Sequence, residues 1–187
     1  MISARQLSSA LHGVRLLYQF DVRAWDYFEK TSRGFWSSYV IAVALAPLYL
    51  THAVLQYPER QTGLDLLPYV VVKLLSYVLT WTLFPFVMLY IAPLLNRAPR
   101  YLWHVVPYNW MQLPLALPLL VIQVLTDLRV LPPEVQAIVG LLVLVTFAIY
   151  GTFVAGIGLQ VATGTAVGLV ILDYFLGLIL EGLVALI

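Results

Sequence analysis

Residues 135–172, VQAIVGLLVLVTFAIYGTFVAGIGLQVATGTAVGLVIL, run for 38 positions without a charged side chain. As one helix they would be about 57 Å long, whereas a bilayer's hydrocarbon core is ~30 Å thick and is crossed by about 20 helical residues. The stretch must therefore fold back on itself. Five of its six glycines gather from residue 151 onward, at Gly151, Gly156, Gly158, Gly164 and Gly168, and residues 158–165 hold its run of small and polar side chains. A turn is predicted there, with Thr163 or Thr165 as the cap of the next helix. Two spans result, 135–158 and 165–187.

Working outward, the same count gives spans at 35–55, 66–95 and 101–126. Only 10% of the 187 residues are charged and 62% are hydrophobic, against about 25% and roughly 45–50% in an ordinary soluble domain. The fold class is therefore all-α, a polytopic membrane helix bundle of five transmembrane helices. The count falls to four if the last segment is re-entrant. Residues 1–34 form a cytoplasmic amphipathic and juxtamembrane segment, and residues 35–187 the transmembrane domain. Residues 1–20 hold no apolar core of secretory-signal length, so the first span is expected to remain as an anchor. The net charge is +1 and there is no cysteine. Nothing points to nucleic acid, a thiolate metal site or a cysteine nucleophile.

Lysine and arginine set orientation. Arg5, Arg15, Arg23, Lys30, Arg33, Arg97 and Arg100 fall on one side, Arg60 and Arg129 on the other. Seven against two predicts an inner-membrane protein with a cytoplasmic N-terminus and an outside C-terminus. Trp25, Trp36, Trp103 and Trp110 lie toward the same inner interface, where amphipathic rings prefer to sit.

Residues 5–19 carry a helical apolar stripe of Leu7, Leu11, Val14, Leu17 and Tyr18 opposite Arg5, Ser8, His12, Arg15 and Gln19. Two readings stand level: a helix on the inner leaflet with Arg5 and Arg15 over anionic headgroups, or a helix packed on the protein's own cytoplasmic face. A docking surface for a soluble partner is a third. In the following elbow, Asp26 with Lys30 and Glu29 with Arg33 are spaced to pair on a helical turn.

Ionisable groups at membrane depth are costly, and each is a functional hypothesis with a partner to be named. Three qualify: Lys73, Asp173 and Glu181. Lys73 lies about 10 Å and Glu181 about 9 Å in from the outer side. An ion pair between spans two and five is predicted. Asp173 lies about 12 Å in from the cytoplasm, near the depth of Asn109 and His104. It is expected to be held by Asn109, or by a tyrosine hydroxyl such as Tyr77 or Tyr150. These groups read either as interhelical ties, as a transport relay, or as a headgroup or cofactor site. No histidine cluster has metal-ligand spacing, and no cofactor is predicted; haem ligation by His52 or His104 stays open. Pro107, Pro114 and Pro118 make the third span the most kinked, and Gly164-xxx-Gly168 permits close helix approach in the last.

No enzyme constellation is found: no Ser-His-Asp set shares a depth, and no loop carries an acidic pair or a phosphate-binding glycine run. The protein reads first as a scaffold or accessory subunit of a membrane complex, with the bilayer, anionic headgroups and either a protein partner or further copies of itself as contacts. A small oligomeric transporter or channel using Asp173 and the Lys73–Glu181 pair is the alternative.

The pattern of a cytoplasmic N-terminal segment, five spans, short loops and an outside C-terminus resembles the Yip family, with its small bacterial members nearest. The sequences that carry the likeness are Asn-Arg-Ala-Pro-Arg-Tyr at 96–101 ahead of Tyr-Asn-Trp at 108–110, and Ala-Gly-Ile-Gly-Leu-Gln-Val at 155–161 leading to Val-Ile-Leu-Asp at 170–173. The likeness covers spans two to five and implies five-span topology. The chain lacks the acidic Tyr-Gly-Pro motif with which eukaryotic members engage GTPases, so the likeness carries no trafficking role.

Overall fold

A computed structural model describes residues 3–57 and 65–184. Arg60, counted above for orientation, and residues 185–187 lie outside them. Eight α-helices follow in order: α1 Ala4–Leu17, α2 Ser32–Ser38, α3 Val40–Leu55, α4 Leu66–Leu94, α5 Tyr101–Met111, α6 Leu113–Asp127, α7 Pro133–Leu159 and α8 Thr163–Val184. No strand occurs among the described residues. Five helical segments are long and apolar enough to cross a membrane: Ser32–Leu55, Leu66–Leu94, Ala98–Asp127, Pro133–Leu159 and Thr163–Val184. The all-α, five-span architecture holds, and the last segment is a full-length helix.

The turn between α7 and α8 falls where the glycine-rich run predicts. Gln160 adopts a left-handed conformation (φ 55°) and returns its N–H to Gly156, a standard way to end a helix. Neither threonine caps α8. Thr163 is already its first residue and Thr165 lies inside it.

Two spans are broken. The first bends at Tyr39, between α2 and α3. The third breaks at Gln112, because Pro114 has no N–H with which to reach back one turn and Leu115 donates to Gln112 rather than to Met111. The Met111 carbonyl is thereby released and accepts the hydroxyl of Tyr18 at 3.0 Å.

That bond decides the place of the N-terminal segment: it packs on the bundle. The Tyr150 hydroxyl donates to the Tyr18 carbonyl at 2.9 Å. Phe20 stacks on Tyr150 with ring centres 4.6 Å apart, and the Trp25 indole donates to the Trp103 carbonyl at 2.8 Å. α1 turns Ala10, Gly13, Val14 and Leu17 inward, while Leu7 and Leu11 of the predicted stripe stay exposed beside Arg5 and Arg15. The face is rotated because small residues let α1 approach more closely than leucines would. The elbow pairs differ from expectation too. Val22–Tyr27 is a 3-10 turn held by Asp21 and Arg23, Lys30 donates to the Trp25 carbonyl, and Glu29 accepts from Gln6 and Thr31. Burial lowers the pKa of Lys30, partly offset by Asp26.

Every residue of α5 from His104 to Met111 is buried. α7 comes closest to it at Gly158, where an added Cβ would stand 2.8 Å from both the His104 Cα and the Trp103 carbonyl oxygen. Gly164 and Gly168 have open space instead, so the close approach belongs to α7 rather than to the last span. Gly158→Val is expected to lower stability in detergent by about 1–3 kcal/mol, the usual cost of overpacking, and Gly164→Ala to leave it unchanged. Thermal unfolding of the two variants beside the wild type checks both.

Candidate intramembrane cleft

On α5 and its continuation, His104, Tyr108 and Gln112 recur every four residues and share a face. On α8, Asp173, Gly177 and Glu181 do the same. Tyr108, Gln112, Asp173, Gly177 and Glu181 line one cleft of about 440 Å3, together with Thr80, Phe84 and Phe147. Gly177 and Gly140 leave its walls without side chains where α8 and α7 face it. Tyr174, Leu178 and Leu144, which line it, are exposed, so the cleft is open to the outside of the bundle.

Its polar centre is one hydrogen bond. The Tyr108 hydroxyl donates to Asp173 Oδ2 at 2.6 Å. Tyr108, rather than Asn109, Tyr77 or Tyr150, is therefore the partner of Asp173. Asn109 sits one position further round α5 and donates to the Ser38 hydroxyl at 2.8 Å, tying the bend of the first span to the third. Tyr77 donates to the Ala42 carbonyl at 2.6 Å, and Tyr150 is engaged with Tyr18.

The predicted Lys73–Glu181 ion pair does not form. Among the described residues, ion pairs within 4.0 Å are Arg23–Asp21 and His52–Asp127. The Lys73 ammonium lies 5.4 Å from the Tyr69 ring centre, one turn back on its own helix. Helical side chains lean toward the N-terminus, and here that direction carries Lys73 toward the start of α4. α4 and α8 are neighbours as expected, but Glu181 faces the cleft, which no lysine or arginine of the described residues lines.

His104 is fully buried just behind the cleft. Neither ring nitrogen makes a hydrogen bond of standard geometry, and the Val154 backbone is the polar group that acts on it. Phe84 and Tyr108 each stand 5.9 Å from its ring. His104, Tyr108 and Asp173 all line a void of about 10 Å3.

Comparison with known proteins returns no matching family, no similar curated protein and no similar solved structure.

At the opposite end of the bundle is a contact that sequence reasoning missed. His52 Nδ1 meets Asp127 Oδ2 at 2.5 Å, and the Gln56 amide donates to Asp127 Oδ1 at 3.2 Å. α3 and α6 are thus tied near their C-termini. His52 and Gln56 share a helix face, which was the available signal, but Asp127 reads simply as the polar end of a span. Because Lys73 and Glu181 are not paired, Lys73→Met and Glu181→Gln are expected to add independently, with a coupling energy below about 0.5 kcal/mol. A double-mutant cycle on detergent stability measures it.

Proposed function

We propose that this is a small multi-pass transporter whose cleft binds an organic cation. The observation that carries the reading is a cleft of about 440 Å3 at membrane depth with two carboxylates, two tyrosines, a glutamine and a threonine, and no lining lysine or arginine among the described residues. Asp173 is half-buried and Glu181 exposed, and a negative cleft with no counter-charge among the described residues is matched by a ligand that brings one. The volume lies within the range of organic-ligand pockets, roughly 300–1,000 Å3. The walls are mostly aliphatic and aromatic, and Phe84, Tyr108, Phe147 and Tyr174 offer ring faces of the kind that attract cations. Asp173 and Glu181 would supply charge, Tyr108 and Gln112 orientation.

Ethidium is a suitable probe, being cationic, aromatic and fluorescent. Asp173→Asn is expected to weaken its binding to the purified protein at least tenfold, the effect of losing a charged contact of about 1.5–3 kcal/mol. Equal binding by the wild type and the Asp173→Asn, Glu181→Gln double variant would remove the transporter reading.

The scaffold reading, with its Yip-like arrangement, is the second. It rests on the exposed arginines Arg5, Arg15 and Arg33 and on Trp36, 72% exposed, at the end where the N-terminal segment packs. There they could meet anionic headgroups or a partner protein, and a stoichiometric partner retained through mild-detergent purification would favour it. Both readings share one orientation, in an inner membrane with the N-terminus cytoplasmic, supported by the lysine and arginine count. A reporter fused after Ile187 is expected to score as outside.

A further inference from the structure

We propose that the cleft exchanges its organic cation for a proton, and that His104 relays this proton between Asp173 and the end of the bundle covered by the N-terminal segment. The inference rests on the cation reading of the cleft and adds its coupling. Its basis is a line of three titratable side chains. Asp173 receives a hydrogen bond from Tyr108 at 2.6 Å. The Tyr108 ring lies 5.9 Å from His104. The void that all three line measures about 10 Å3, close to the space one water occupies. One water seated there, with His104 and Tyr108 as its polar partners, would complete the line from imidazole to carboxylate.

His104 is an unusual residue to bury at this place without a role. It is 2% exposed and both ring nitrogens lack a hydrogen bond of standard geometry, a costly state for a polar group in a protein interior. It is three residues from the start of α5, about 5 Å along the helix, so it stands between the cleft and the near end of the bundle. The cleft does not include it. Around it, α4 contributes Phe84, α8 Asp173 and α7 Phe147, Gly151 and Ala155; Lys30 and Arg100 lie beyond, over the ring of neighbouring Trp103 at 4.3 and 4.7 Å. Tyr108, Asp173 and His104 are thus the titratable groups lining the void, with Glu181 two turns further along α8.

The transfer balances. With the cation bound, Asp173 is a carboxylate. As the cation leaves, a proton from the near end of the bundle adds to one His104 ring nitrogen while the other gives its N–H proton to the intervening water, the water passes a proton to the Tyr108 oxygen, and the Tyr108 hydroxyl proton moves to Asp173 Oδ2. Neutral imidazole, intact water, intact phenol and a neutral carboxyl remain. Cation entry drives the reverse.

The test uses the full chain in proteoliposomes carrying an internal pH dye, with an interior more acidic than the bath and ethidium added outside. The wild type should raise the internal pH as ethidium enters. His104→Gln, which keeps a polar amide but cannot carry a proton at neutral pH, should bind ethidium within twofold of wild type yet release protons at least tenfold more slowly. A merely structural role for His104 would change binding and release together. Unchanged proton release by His104→Gln, or ethidium entry into wild-type vesicles without proton movement, would overturn the relay and leave the cleft standing as a binding site. A wild type that neither binds nor moves ethidium would overturn both. Should His104→Gln fail to fold, Tyr108→Phe is judged by protons released per ethidium bound: a drop of tenfold supports the relay, an unchanged ratio removes it.

Discussion

A membrane offers no water to satisfy a stray polar group, and α5 is where this chain meets that constraint. His104 and Tyr108 share one face of a short helix, Asn109 lies about 100° further round, and all are buried. None could face lipid without several kcal/mol of desolvation cost, so the helix has to be surrounded by protein. The surrounding elements follow from this. α7 closes on it through Gly158, the bend of the first span supplies Ser38 to Asn109, and α4 lays Phe84 against the rings of His104 and Tyr108. Pro114 then ends α5 and releases a carbonyl, which in hydrocarbon needs a donor. Tyr18 supplies it, and with it the N-terminal segment is drawn onto the bundle.

The cleft is the other side of the same arrangement. Because the third span changes course at Gln112, its second half packs against α3 and α7 while α5 stays central. Gly140 and Gly177 keep the opposing surfaces bare at that level. Tyr108 is thus shared between two tasks. Its ring fills the space beside Phe84, and its hydroxyl marks the floor of the cleft at Asp173.

How far this was legible in the sequence depends on which coordinate is asked for. Hydropathy and helical rise give height in the membrane, and height was read well: five spans, the turn near Gln160, and the neighbouring depths of Asp173 and α5. Rotation about each helix axis was not so available. Asn109 and Tyr108 differ by about 100° at nearly one height, and choosing the more polar residue selected the wrong direction. Lys73 and Glu181 match in depth but do not meet, and α1 turned Ala10 and Gly13 inward beside Val14 and Leu17 where Leu7 and Leu11 were expected. The periodic match of Tyr108 and Gln112 with Asp173 and Glu181 was present all along. It becomes meaningful once α5 and α8 are known to face one another.

Two carboxylates in this bundle show contrasting treatment, which bears on what each is for. Asp127 is provided for on both oxygens, with His52 on one and Gln56 on the other. This is how a tie between helices is built, since a buried acid stabilises packing only when its acceptor capacity is met. Asp173 receives one hydroxyl on one oxygen and otherwise faces an open cleft, with Glu181 lining the same space. Were Asp173 only a tie, replacing Asp173 and Tyr108 together by apolar residues of similar size would cost little or even stabilise the fold. An acid kept half-satisfied, with a second acid two turns further along the same cleft and space enough for an organic ligand, fits a group whose remaining partner comes and goes. The contrast between Asp127 and Asp173 therefore weighs toward binding at the cleft and toward architecture at the opposite end, within one helical bundle and under the same desolvation penalty.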